Sequence, residues 1–235
     1  MDKIAKQRLN LILLIDCSKS MQGRRIKEVN SALKELKSHL LKMQNENSNT
    51  DFYISVITFG TDAQFLNGAT CTAIDNFDFQ DIKCGGWSNL HTAYERLAEL
   101  LQKESRGGIM PDFGGVAPIV LLMTDGHPTK YPLREELNKL KALPWFSVAL
   151  KYGIAIELND ERTLGVLRDF SADTGEVIEC FDASILEKMI RIIVLSASKV
   201  KSQTTSVSNL NVISKPEQIR QQIKKDLLEV YDWEW

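Results

Sequence analysis

The sequence predicts an α/β protein: an open, mostly parallel sheet with helices on both faces. Three observations carry that reading. Uninterrupted apolar runs at 10–16 (NLILLID, polar only at its ends) and 117–123 suit strands buried on both faces of a parallel sheet. The segment after the first run repeats its apolar residues at helical spacing. Further along, strand-like and helix-like segments alternate at the spacing of βαβ units. A length of 235 residues, 43% of them hydrophobic, supports one large domain of this class plus a small appendage; two full domains would be cramped.

Taken in order, the strand at 10–16 is followed by a short Ser- and Gly-containing turn. The run RRIKEVNSALKELKSHLLKMQ then sets Ile26, Val29, Leu33, Leu36, Leu40 and Met43 in steps of three and four, on one helical face. Polar NENSNT closes that helix. Residues 51–59 alternate Tyr53, Ser55, Ile57 and Phe59 with Phe52, Ile54 and Val56, which predicts a mostly buried strand. Residues 63–71 suggest a shorter, more polar strand close behind it, an antiparallel pair at the sheet edge. A helix is expected over 90–101, entered through Gly85 and Gly86, and 105–115 is a glycine-rich loop. The strand at 117–123 stops at TDGHP. A helix at 133–142, a strand at 145–150, a helix at 160–170, a short strand in GEVIEC and a final helix at 182–197 complete the domain.

The organisation expected is therefore one domain over 1–197, a Ser/Thr-rich polar linker over 198–215, and a C-terminal segment over 216–235. That last segment has Ile219, Ile223, Leu227 and Val230 at helical spacing and ends in YDWEW. A frayed end is the plain reading; two tryptophans with two carboxylates also make a candidate docking peptide, able to bring Asp232 or Glu234 to a metal site.

Composition narrows the function classes. With 29 Lys+Arg against 31 Asp+Glu, the net charge of -2 gives no reason to expect nucleic-acid binding. No stretch approaches a membrane span, and the apolar run after the N-terminus is too short for a secretory signal. The four cysteines, Cys17, Cys71, Cys84 and Cys180, form no CxxC pair and read as reduced thiols. A cytoplasmic protein is expected.

In open α/β sheets ligands bind beyond the carboxyl ends of strands. Two buried strands here end in oxygen-rich loops: one supplies Asp16, Ser18 and Ser20, the other Asp125, and CGGWSN places Ser88 just before a helix. Carboxylates with neutral hydroxyls suit a hard divalent cation such as Mg²⁺ or Mn²⁺. Singly, Asp16 or Asp125 would read as a cap of the turn after its strand. As a pair with two serines, the metal reading leads. So few charged ligands would leave the ion short of negative charge, seeking an anionic oxygen from outside.

At these residues the chain resembles the von Willebrand factor A (VWA) family. Asp16-Cys17-Ser18-Lys19-Ser20 is similar to its DxSxS motif, Ser88 falls where a threonine is usual, and Asp125-Gly126 resembles its late Asp. The resemblance spans roughly residues 9–197. It implies a Rossmann-like VWA fold with an open, mostly parallel six-stranded sheet, one edge strand antiparallel, and helices on both faces. It further implies a metal-ion-dependent adhesion site held by Asp16, Ser18, Ser20, Ser88 and Asp125 and completed by a protein partner's Asp or Glu. The run VLLMTDGHPT is similar to that of TerY-like bacterial proteins, implying a tellurium-resistance or stress system with a kinase or phosphatase as partner.

Two departures bear on the site. Ser88 keeps the hydroxyl but lacks the methyl that restrains a threonine rotamer. Lys19 stands where glycine is common; it is expected to point outward, toward an acidic partner. Trp87 is either a rim residue for a partner or packed beneath its loop. His127 is expected at the rim or ordering its loop. It is also the sole base that a rival reading, a metal-dependent hydrolase or phosphotransferase, could use, and no G-x-S-x-G elbow surrounds either serine. His39 and His91 are expected to face solvent. A third reading is a structural VWA domain with a degenerate site.

Overall fold

Leu11 to Ile15 are wholly buried, and their alternate side chains enter different cores. Leu11, Leu13 and Ile15 join one apolar cluster, Ile12 and Leu14 the other, as a strand buried on both faces must. This strand, β1 (Gln7–Asp16), is the middle of the sheet. The computed structural model describes residues 6–46, 49–68, 70–126, 128, 133–157, 160–171, 177–180, 183–202 and 225–226.

In chain order the remaining elements are α1 (Arg24–Glu46), β2 (Thr50–Phe59), β3 (Ala63–Phe65), β4 (Thr72–Ala73), α2 (Leu90–Leu100), β5 (Ile119–Thr124), α3 (Leu133–Lys141), α4 (Pro144–Val148), β6 (Leu150–Ile156), α5 (Glu161–Ser171), β7 (Val177–Cys180) and α6 (Ala183–Ser202). The sheet runs β3-β2-β1-β5-β6-β7, with β4 also pairing to β2. β3 and β4 are antiparallel to β2, and all other pairs are parallel. Helices α1 and α6 cover one face through Val29, Leu33, Leu36, Met189, Ile190 and Ile193. Helices α2 to α5 cover the other through Tyr94, Leu97, Leu140, Phe146, Leu167 and Phe170.

The expected fold class is what the structure has, with three local corrections. The sheet has seven strands among the described residues rather than six. The strand expected over 63–71 shrinks to Ala63–Phe65; a turn in which Asn67 takes φ 60 follows, and the second short strand, β4, lies past the expected range at Thr72–Ala73. The strand expected at 145–150 is instead the helix α4 with Pro144 in its first turn, and β6 begins at Leu150. Lys151 explains the misreading, because a charge ends the apolar run in sequence. In three dimensions it is fully buried; its ammonium donates to the Phe146 carbonyl at 2.8 Å and lies 4.7 Å from that ring's centre. That carbonyl also accepts from the Ala149 N–H at 3.3 Å, so the ammonium adds a second donor at the end of α4. Gly153 of β6 faces Leu167 so closely that an added Cβ would lie 2.8 Å from that side chain, which lets α5 settle onto the strand.

Helix α6 continues to Ser202, five residues into the expected linker; residues 203–224 and 227–235, including YDWEW, lie outside the described residues, as does His127. No helix among the described residues is long and apolar enough to cross a membrane.

Candidate metal centre

From β1 the chain passes to β2 on one side and later to β5 on the other, so strand order reverses between β1 and β5. That reversal opens a crevice at their carboxyl ends. Register pairs Ile15 with Met123, which sets Asp16 beside Thr124.

Asp16 is fully buried and saturated with donors. Its Oδ1 accepts from the Ser18 backbone N–H at 2.8 Å; its Oδ2 accepts from Ser88 Oγ at 2.9 Å and Thr124 Oγ1 at 2.6 Å. Burial raises its carboxyl above the ordinary value, and the hydrogen bonds from Thr124, Ser18 and Ser88 oppose that rise. Ser18 and Ser20 place their hydroxyls 3.0 Å apart, and Ser20 Oγ donates to Asp125 Oδ1 at 2.7 Å. All five residues singled out in the sequence thus meet in one hydrogen-bonded cluster, Asp16 and Ser88 being joined to Ser18, Ser20 and Asp125 through the Ser18 backbone N–H.

The loop before α2 is held by backbone bonds. The Gly85 N–H donates to the Cys17 carbonyl at 2.8 Å, the Lys19 N–H to the Gly86 carbonyl at 3.2 Å, and the Asn89 N–H to the Gly60 carbonyl at 2.9 Å. Gly86 sits at φ +76, and a Cβ there would fall 2.2 Å from Thr61 Oγ1, so glycine is required. This stitching delivers Ser88 to Asp16. It also leaves Trp87 65% exposed beside the crevice, not packed beneath it, and Lys19 is exposed as expected. His39 and His91, expected to face solvent, are half-buried: His39 Nδ1 lies 2.9 Å from Glu187 Oε1, and His91 Nδ1 is shut off from water.

Three residues escape the sequence reading. Thr124 was legible in principle, standing before Asp125 at the end of a buried strand. Arg25, whose Nη1 donates to Asp125 Oδ2 at 2.5 Å, and Glu157, which accepts from Arg25 Nε at 3.1 Å, were not, because no local pattern brings α1, β5 and β6 together.

Among the described residues no group of three or more His, Cys, Asp and Glu side chains is arranged to hold a metal. The donors available are two carboxylates filled out by hydroxyls. They fit a small hard ion: an octahedron with bonds near 2.0–2.1 Å has edges of about 2.9 Å. The separations of 3.0, 2.7 and 2.9 Å found here are ordinary O–H···O hydrogen-bond lengths and are compatible with that edge.

A doubly wound α/β domain with an oxygen-lined crevice where strand order reverses is the class that fold and site define. A family model described as the von Willebrand factor type A domain matches residues 10–177, and the chain belongs to that family of protein-interaction modules. Inter-alpha-trypsin inhibitor heavy chain H1 of Sus scrofa is 29% identical over 133 residues, covering 54% of this chain and 14% of the relative. Heavy chain H4 of Bos taurus is 29% identical over 143 residues, 57% of this chain and again 14% of the relative. This chain therefore spans about a seventh of the length of these curated relatives. The TerY-like subgroup draws no support from them. Among solved structures, the ArnB paralog VWA2 from Sulfolobus acidocaldarius superposes with a TM-score of 0.54 at 19% identity, covering 80% of this chain and 45% of that one. Proximal thread matrix protein 1 from the mussel byssus, described with a zinc-occupied MIDAS motif, gives 0.56 at 20% identity, covering 83% and 48%. At these identities the likeness is one of fold.

Proposed function

We propose that this chain is a non-enzymatic interaction module that binds a protein partner through a divalent ion. The observation that carries the reading is the single hydrogen-bonded cluster of Asp16, Ser18, Ser20, Ser88 and Asp125 at the carboxyl edge of β1 and β5. These residues would hold the ion, Mg²⁺ or Mn²⁺ by the hardness of the donors, and the ion would supply a positive charge that a partner's Asp or Glu can ligate. The zinc in the mussel protein's MIDAS motif supports divalent-ion binding in this fold. Exposed Trp87 and Lys19 flank the crevice and would meet the partner's surface, one as an aromatic anchor and the other as a counter-charge.

The cellular setting we propose is cytoplasmic, supported by four free cysteines. A stress or tellurite-linked system with a kinase or phosphatase partner is supported by the run VLLMTDGHPT alone. The test is calorimetric titration of Mg²⁺ and Mn²⁺ into chelator-treated protein, alongside Asp16→Ala and Asp125→Ala. One ion per chain, lost in both folded variants, and partner capture abolished by chelator are the expected results. Partner capture unchanged by chelator would overturn the reading.

A further inference from the structure

Arg25 belongs to the first turn of α1, yet its guanidinium reaches over the crevice. Its Nη1 donates to Asp125 Oδ2 at 2.5 Å and to the Ser20 carbonyl at 3.1 Å, while Nε donates to Glu157 Oε2 at 3.1 Å. Arg24 Nε adds a longer approach to Glu157 Oε1 at 3.5 Å. The Asp125 side chain is wholly buried, and a buried carboxylate needs a cation or strong donors beside it. Glu157 is held for its part in this arrangement at a backbone cost. It has φ 46, a left-handed conformation unfavourable for a glutamate, and its N–H is tied to the Cys180 carbonyl at 2.9 Å.

We infer that Arg25 is a resident cation that competes with the divalent ion for Asp125, and that Glu157 sets how strongly it competes. The inference rests on the metal-site reading above. With Arg25 on Oδ2, only Oδ1 of Asp125 is turned toward the serine hydroxyls, and part of its negative charge is already spent on the guanidinium. An ion entering the crevice therefore finds less attraction than two free carboxylates would provide. Glu157 draws on the same guanidinium and moderates its grip. The ion then binds well only when an outside carboxylate supplies the missing negative charge, which makes ion and partner binding mutually reinforcing.

The prediction has opposite signs for two neighbouring residues, which loss of a structural contact alone does not produce. Mn²⁺ affinity of the whole chain is measured by calorimetry, or by the electron paramagnetic resonance of free Mn²⁺, for wild type, Arg25→Gln, Glu157→Gln and Arg25→Gln/Asp16→Asn. Arg25→Gln should tighten Mn²⁺ on the order of tenfold. Glu157→Gln, leaving Asp125 as the only carboxylate paired with the Arg25 guanidinium, should weaken it several-fold. The double variant should lose binding. Binding by Arg25→Gln alone, with none by wild type, also supports the inference. Wild-type binding with Arg25→Gln no tighter overturns it while leaving the metal site standing; no binding by either overturns both. Should Arg25→Gln fail to fold by circular dichroism, Glu157→Gln decides: affinity unchanged or tighter overturns the inference.

Discussion

Asp16 is fully buried at the crevice, and burial raises its carboxyl above the usual 3.8. A group whose folded value exceeds its unfolded one holds its proton more tightly in the native state. Without metal, its contribution to stability is complete below the unfolded value and is lost as pH rises through the raised folded value. A bound cation favours the carboxylate instead, so ion affinity should climb with pH across the same window. Melting temperatures measured in chelator across that window should show this decline in the wild type and not in Asp16→Asn; an equal decline in both would contradict the assignment. Two thiols report on the same neighbourhood. Burial, then the Asp16 charge, pushes Cys17 up to about 11. Burial, followed by the charges of Cys17, Asp16 and Asp125, pushes Cys84 up to about 12. Both should therefore alkylate with iodoacetamide at pH 8 far more slowly than in denatured chain, as mass spectrometry can follow; equal rates would refute the environment described.

The element that most needs tertiary support is the irregular chain between β4 and α2, which carries Ser88. Asn30 of α1 is buried and clamps it, accepting from the Ile82 N–H at 3.0 Å and donating to the Ile82 carbonyl at 3.1 Å. Asn30→Ala leaves both groups of Ile82 without this partner and should cost about 1–3 kcal/mol in urea unfolding. Farther along, Gly86→Ala must move the loop, because its Cβ would overlap Thr61, whereas Gly85→Ala meets nothing within 4 Å. The first should weaken Mn²⁺ binding by shifting Ser88 off Asp16; the second should not, and equal effects would argue against the loop's positioning role. These two glycines are indistinguishable in sequence, where both merely mark a turn. The helices and the central strands were legible because period 3.6 and uninterrupted apolar runs are local signals. β6 was not, since Lys151 hides inside it with a partner the sequence does not display.

For the molecule as a whole, an ion that binds only the folded state stabilises it by mass action, about 2.7 kcal/mol at a hundredfold excess over the dissociation constant. For a chain of this size that corresponds to a rise in melting temperature of roughly 5–10 °C. Saturating Mg²⁺ or Mn²⁺ should produce such a rise in the wild type, and chelator should reverse it. Asp16→Ala should show none; a rise of equal size there would mean the ion binds elsewhere. The chain by itself determined the α/β class and the alternation of strands and helices, and it singled out the five candidate oxygen donors. Each is written in short windows: a run of apolar residues, a helical period, the D-x-S-x-S turn and the TDG turn at two strands' ends, and the serine just before a helix. Tertiary structure alone decided that β1 lies between β2 and β5, so that donors 109 positions apart at Asp16 and Asp125 share one crevice. It also decided that Arg25 and Glu157 face Asp125 there. The physical reason is that charges interact through distance in space, and only strand order sets which chain segments become neighbours.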